Sequence, residues 1–344
     1  MPGHGAPAQG ATQAAESELQ AGIHLTKAGR FAEAIPHFLA ARGNASDAFA
    51  EFAVQFDLGL CYVGTRRFAE AIRVLKPLEE KNKENASLEN LLAQALIGNG
   101  EKEEGWEAFE RAAKLTPQNE KLYAFVADAC VDQREFALGL RVADVALKNL
   151  PNSPRLRYER GYLLGLLDRV DEAKVEFERT SELTPGSEIA AVAAVQESYF
   201  AGDPAGVTRV GRKAVQEGKA NYIVLTALGD ALLRLGAVRG QPEFAEAEGA
   251  LRRAIEAKPS YASAQIVLGI LLVAKKQLEE AIVHLEIGRQ LDPRNPRVYA
   301  ALGAAYRKRG DAKKANEMFE ILARLNAEEA ARISSAPGDQ KAIP

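Results

Sequence analysis

The stretch that looks most like chemistry is GDPAGVTRVGRKA (202–214), in which Gly206 and Gly211 are spaced like the glycines of a phosphate-binding loop. Such a loop needs a lysine to reach the phosphates and a strand leading into it. Arg212 stands where the lysine belongs, and no strand precedes the stretch. Metal chemistry fares no better: His4, His24, His37 and His284 are scattered without the spacing of a ligand set. Carboxylates crowd EEKNKEN (79–85) and EKEEG (101–105), but both runs fall at helix ends or turns, where solvated charge explains them. No Ser/His/Asp or Cys/His set gathers at equivalent positions. Catalytic residues, metal ligands and cofactors are therefore expected to be absent, and the chain is expected not to be an enzyme.

Composition narrows the remaining classes. A net charge of -3, a pI near 6.0 and 26% charged residues over 344 positions describe an ordinary globular chain and lack the basic footprint of a nucleic-acid binder. The longest apolar runs, such as IVLGILLVA (266–274), are too short to span a bilayer, which takes about 20 residues. Two cysteines, Cys61 and Cys130, cannot make a disulfide framework and suit a reducing compartment. The opening MPGHGAPAQGATQA has neither a charged n-region nor an apolar core and reads as a flexible tail rather than a signal peptide. A cytoplasmic location is expected, or a periplasmic or exported one if a leader precedes Met1.

The elements that must position any binding residue are written as a repeat. FAEAI occurs at 31–35 and 68–72, with FAEAE at 244–248 and LEEAI at 278–282. Walking outward, a mostly small residue recurs at Gly22, Gly59, Ala93, Ala127, Gly161, Val195, Gly229, Gly269 and Gly303, at spacings of 37, 34, 34, 34, 34, 34, 40 and 34. A second small residue follows, usually twelve positions on, and a bulky one four beyond it, as in Gly59, Ala71 and Leu75. Small residues let two antiparallel helices approach, and the bulky one fills the gap that remains. Pro117, Pro151, Pro185, Pro259 and Pro293 then stop second helices. The repeat around Val195 matches worst, because Val207 and Gly211 depart from the pattern and no proline closes it. The extra residues fall near 43–52, between the first two repeats, and near 236–241, between the two helices of the seventh. His37 and His284 occupy the same place in two repeats, and the two cysteines lie two repeats apart, too far for a disulfide. Trp106 is expected to pack against a neighbouring helix.

This pattern resembles the tetratricopeptide repeat, a 34-residue helix-turn-helix unit, over about 16–326 in nine consecutive copies. The resemblance implies an all-α, right-handed superhelical solenoid of antiparallel helix pairs. It divides the chain into a flexible tail over 1–14, the array with a C-terminal capping helix over 15–334, and a second tail over 335–344. It also implies a concave groove lined by the first helices, which receives a peptide or partner segment. Carried onto this sequence, the groove positions include Phe56, Leu60, Gln94, Asp128, Tyr158, Tyr162, Gln196, Tyr199, Asp230, Ile266, Ile270 and Arg307. The Lys/Asn pair with which co-chaperone members hold a terminal carboxylate is missing, and so is the asparagine ladder of members joined to a glycosyltransferase. What stands out is a patch of Tyr158, Tyr162 and Tyr199 flanked by Asp128 and Asp230, suited to an apolar or basic residue of a partner, unless the tyrosines only pack together. The expectation is a non-catalytic interaction scaffold or adaptor binding a protein or peptide, without nucleic acid or a membrane span. The alternative is a carrier or regulatory subunit of a bacterial envelope-associated assembly. Neither the partner's identity nor the oligomeric state is written in the repeat.

Overall fold

Residues 6–335 are described in the computed structural model of the chain, and among them eighteen helices follow one another without a strand. They form nine pairs: α1 (Ala6–Lys27) and α2 (Phe31–Ala41), α3 (Ala48–Gly64) and α4 (Phe68–Glu79), α5 (Ala86–Asn99) and α6 (Lys102–Leu115), α7 (Glu120–Asp132) and α8 (Phe136–Asn149), α9 (Pro154–Leu166) and α10 (Val170–Leu183), α11 (Glu188–Phe200) and α12 (Pro204–Gln216), α13 (Tyr222–Arg234) and α14 (Pro242–Ala257), α15 (Ala262–Lys275) and α16 (Leu278–Leu291), α17 (Pro296–Arg309) and α18 (Ala312–Ser335). The chain divides into two compact units, Met1–Glu176 and Phe177–Pro344. Helix α1 starts inside the stretch 1–14 expected to be a tail, and the residues expected to cap the array continue α18 to Ser335. The rest of both expected tails, 1–5 and 336–344, lies outside the described residues.

Local chemistry explains the helix ends. Asp47, Asn85, Ser153, Ser187, Asn221 and Asn295 each accept a backbone N–H of the first turn that follows, satisfying groups the helix itself cannot pair. The turn within each pair repeats nine times in one geometry. Seven residues after every small anchor the backbone takes a positive φ, at Gly29, Arg66, Gly100, Arg134, Asp168, Gly202, Gly236, Lys276 and Gly310. The next residue's N–H then reaches back to the carbonyl five positions earlier, as in Glu101 to Leu96 at 2.9 Å and Asp203 to Ser198 at 3.0 Å. The turn after Val195 conforms to this pattern, so that repeat belongs to the array despite its poor match. Between repeats, the carbonyls of Pro117, Pro151, Pro259 and Pro293 accept a side-chain hydrogen bond from the residue six places on.

Packing follows the volumes read from the sequence. A Cβ placed on Gly22 would lie 2.8 Å from Phe38; on Gly59, 2.5 Å from Leu75; on Gly269, 2.5 Å from Leu285; and on Gly303, 2.5 Å from Phe319. Gly229 meets Leu251 at 2.6 Å in the same way, with the six extra residues taken up in the turn between α13 and α14. In the sixth repeat the volumes change places: Val195 is buried on the first helix, and Gly211 on the second lies under Leu228 of α13. His37 and His284 make equivalent contacts, to Glu18 at 2.6 Å and Gln265 at 2.7 Å, each nineteen residues back. Trp106 packs on Phe109 and carries the Arg141 guanidinium of α8 at 3.9 Å over its ring. Cys61 and Cys130 are buried and free, and burial pushes the Cys130 thiol up to about 12.

Candidate functional site

The first helices stack on one another within each unit, α1 through α9 in the first and α11 through α17 in the second. Their shared face carries the residues expected to bind.

In the first unit three of these helices enclose a cavity of about 310 Å³. Phe56 and Leu60 of α3, Asn90 and Gln94 of α5, and Phe125 of α7 form much of its wall, with Lys121 at the rim. Asn90 organises it. Buried at 6% exposure, it donates to the Leu122 carbonyl at 2.9 Å and accepts from Gln94 Nε2 at 2.8 Å. That bond aims the Gln94 amide along the wall, and no described residue donates to Gln94 Oε1. Phe56 is backed by Phe52, stacked at 5.9 Å, while Phe125 remains half exposed. The cavity thus pairs aromatic walls with a fixed amide, the combination that holds an apolar side chain and the backbone beside it.

Further along the first unit, carboxylates gather on the first helices α7 and α9. Tyr158 and Tyr162 stack at 6.4 Å with planes 17° apart. Between them in sequence, Glu159 is held by Arg155 at 2.9 Å. Burial, with the charges of Asp128 and Glu120 adding to it and Arg155 opposing, pushes the Glu159 carboxyl up to about 7. Asp128 itself is exposed. Tyr158 and Tyr162 belong to the first unit and Tyr199 to the second.

In the second unit several expected groove residues are not available. Asp230 is buried and bound by Arg297 of α17 at 2.6 Å, so its charge is already matched and does not wait for a basic partner. Burial works against the Arg297 charge, but Asp230 and then Tyr199 more than offset it and hold its pKa above the ordinary value. Ile266 is 1% exposed because Gly288 of α16 leaves a space that Ile266 fills. Gln196 is also buried. Tyr199 stands edge-on to Phe200 at 5.8 Å, with Arg234 over its ring at 5.9 Å. Ile270 is half buried, and Arg307 is exposed over the Phe319 ring at 5.7 Å. The expected list omitted Lys121, Arg234 and Arg297. Arg297 stands six residues before its anchor and Arg234 five after, both outside the positions the family pattern assigns to the groove.

Among the described residues no cluster of three or more His, Cys, Asp or Glu side chains is placed to hold a metal, and no helix is long and apolar enough to cross a membrane. The stretch 202–214 enters α12 from another helix, and its Gly206 N–H is capped by Asp203 at 2.9 Å. These are all-α helix-pair repeats whose first helices stack on one another within each unit.

The tetratricopeptide repeat model matches residues 19–76, 56–120 and 226–296, together half of the chain. The chain belongs to the tetratricopeptide repeat family, whose members are in general non-catalytic scaffolds for protein interactions. Among curated proteins none matches the sequence. Similar solved structures include yeast Tom70, at 18% identity and a TM-score of 0.50, covering 94% of this chain and 83% of that one. A tetratricopeptide repeat protein from Parabacteroides merdae has 15% identity and a TM-score of 0.53 over 76% and 99% of the two chains. The human IFIT1 dimer with PPP-AAAA has 15% identity and a TM-score of 0.51 over 78% and 66%. At these identities the likeness is one of fold.

Proposed function

We propose that the chain is a non-catalytic scaffold that binds an extended segment of a protein partner along its first helices, with the cavity of the first unit as the anchor point. The observation that carries this is the convergence of Phe56, Leu60 and Gln94 from successive repeats, with Phe125 opposite, on one cavity of about 310 Å³. A leucine- or phenylalanine-sized side chain buried there would contribute about 1.5–3 kcal/mol. Gln94 Oε1 would take a backbone N–H of the same segment. Because Asn90 already holds the amide, little ordering cost remains at binding. Tyr158 and Tyr162, with the Asp128 charge acting on Glu159 between them in sequence, would extend the contact toward an apolar or basic residue. A cytoplasmic location is part of the proposal, and the two buried free thiols support it.

The test is a photoreactive residue in place of Phe125, introduced in the source cell. One crosslinked partner segment is expected, and Phe56→Asp should abolish the crosslink while helix content and Trp106 fluorescence stay unchanged. A crosslink that survives Phe56→Asp in a folded protein refutes the cavity as anchor.

A further inference from the structure

Helix α12 differs from the other second helices. Its residues, PAGVTRVGRKAVQ, contain no carboxylate, whereas every other second helix carries at least one within its bounds. A cleft of about 420 Å³ runs along it, lined by Arg209, Arg212, Lys213 and Gln216 and closed at one side by Leu235 from the end of α13. The three cations are not equally occupied. Arg212 is held by both oxygens of Glu246 on α14, at 2.9 and 2.6 Å, and forms a neutralised wall. Lys213 has only Glu217, at 3.8 Å, and Arg209 has no carboxylate partner among the described residues. The lining itself holds three cations and no carboxylate, with Glu246 and Glu243 acting on Arg212 and Glu217 on Lys213 from outside it, so Arg209 is the cation left to meet a ligand's charge in full.

Leu235 is 52% exposed, and Val238, three residues on, is 57% exposed. Leu235 borders, and Val238 lies within, the insertion near 236–241 between the two helices of the seventh repeat. That loop is built rather than slack: Gly236 and Gly240 take left-handed φ values of 91° and 98°, and Gln241 Oε1 accepts the Val238 N–H at 3.0 Å. An ordered insertion thus sets an apolar side chain beside two cations one helical turn apart.

We propose that this cleft is a second docking surface, taking an acidic segment of a protein partner whose carboxylates meet Arg209 and Lys213 and whose apolar side chain rests on Leu235. Charge complementarity selects the acidic segment. A single-stranded nucleic acid fits less well, since no aromatic ring lines the cleft for a base to stack on. An anionic membrane surface fits less well too, since Leu235 is the one large apolar side chain in the lining and the rest is no apolar helix face to bury among lipid chains.

The surface is separate from the first-helix cavity, so the two readings stand or fall independently. The test uses the full chain and a fluorescent peptide of glutamates interrupted by one leucine, beside the same peptide with lysine for glutamate, at about 0.15 M salt. The acidic peptide alone should bind. The Arg209→Glu/Lys213→Glu double variant should weaken it roughly tenfold or more. Leu235→Ser should weaken it less, and Phe56→Asp not at all. Equal binding of both peptides, or unchanged binding by the folded double variant, overturns the proposal. So does tighter binding of phosphatidylglycerol vesicles or of an oligonucleotide that depends on Arg209 and Lys213.

Discussion

Gly269 and Gly249 lie on neighbouring helices of the second unit and should respond oppositely to the same added methyl group. A Cβ on Gly269 would sit 2.5 Å from Leu285 Cγ and 2.7 Å from its Cδ2, with the Ala281 carbonyl oxygen at 3.2 Å. Ordinary carbon contacts are about 3.5–4.0 Å, so roughly an ångström must be found. Leu285 is fully buried and cannot swing out to provide it. Overpacking of this kind costs about 1–3 kcal/mol, while alanine for glycine inside a helix returns about 0.5–1 kcal/mol. With Leu285 Cγ only 2.5 Å away the cost falls in the upper part of that range, about 2–3 kcal/mol, so Gly269→Ala should lose about 1–2.5 kcal/mol net. Gly249 is exposed on α14 with nothing within 4 Å of its added Cβ, so Gly249→Ala should keep the whole gain of about 0.5–1 kcal/mol. Urea unfolding of the two variants against the parent gives the sign. Hydrogen exchange should localise the loss to α15 and α16, because a repeat array yields locally before it yields as a whole. If Gly269→Ala is as stable as the parent, or Gly249→Ala loses as much as Gly269→Ala, the close-approach explanation of the repeat's small residues is wrong.

Lys276 is exposed and holds φ at 65° in a turn where five other repeats use glycine, so Lys276→Gly should stabilise by about 0.5–1 kcal/mol in the same unfolding assay. Glu159 has a folded pKa raised to about 7, so between the ordinary carboxylate range and pH 7 the folded protein keeps a proton that the unfolded chain has lost. Stability should fall as pH rises through that window, and Glu159→Gln should flatten the slope of the urea midpoint against pH. Arg297→Ala strands the buried Asp230 carboxylate and should cost roughly 1–3 kcal/mol, less than for a fully buried pair because Arg297 is half exposed. Removing Asp230 as well should recover part of that loss in thermal melts. Both thiols are buried with raised pKa values, so a thiol reagent should label Cys61 and Cys130 only as the protein opens.

The array was legible in the sequence because helix-pair packing restricts residue size at fixed distances. Gly22, Gly59 and Gly303 announce their partners Phe38, Leu75 and Phe319 sixteen residues ahead, and the structure pairs them so. The turns were less legible: Arg66, Arg134, Asp168 and Lys276 occupy the left-handed position that glycine fills elsewhere, and nothing in those side chains reveals it. The sixth repeat read poorly because Val195 and Val207 stand at its small sites and Gly211 at its bulky one, where Leu228 of the next repeat packs instead. Of the expected groove, Phe56, Leu60 and Gln94 could be read from their place on first helices, since their contacts come from adjacent repeats at regular spacing.

Sequence alone sets the repeat and its register, because these depend on side-chain size at fixed spacings along the chain. Which inward residues remain open to a partner depends instead on what distant segments bring against them. Asp230 is closed by Arg297 from two repeats later, and Ile266 by the empty place at Gly288. Gln94 is aimed by Asn90, which is itself held by a backbone carbonyl of the next repeat. Burial and charge pairing across repeats are properties of the stacked helices, so accessibility is decided only when they stack.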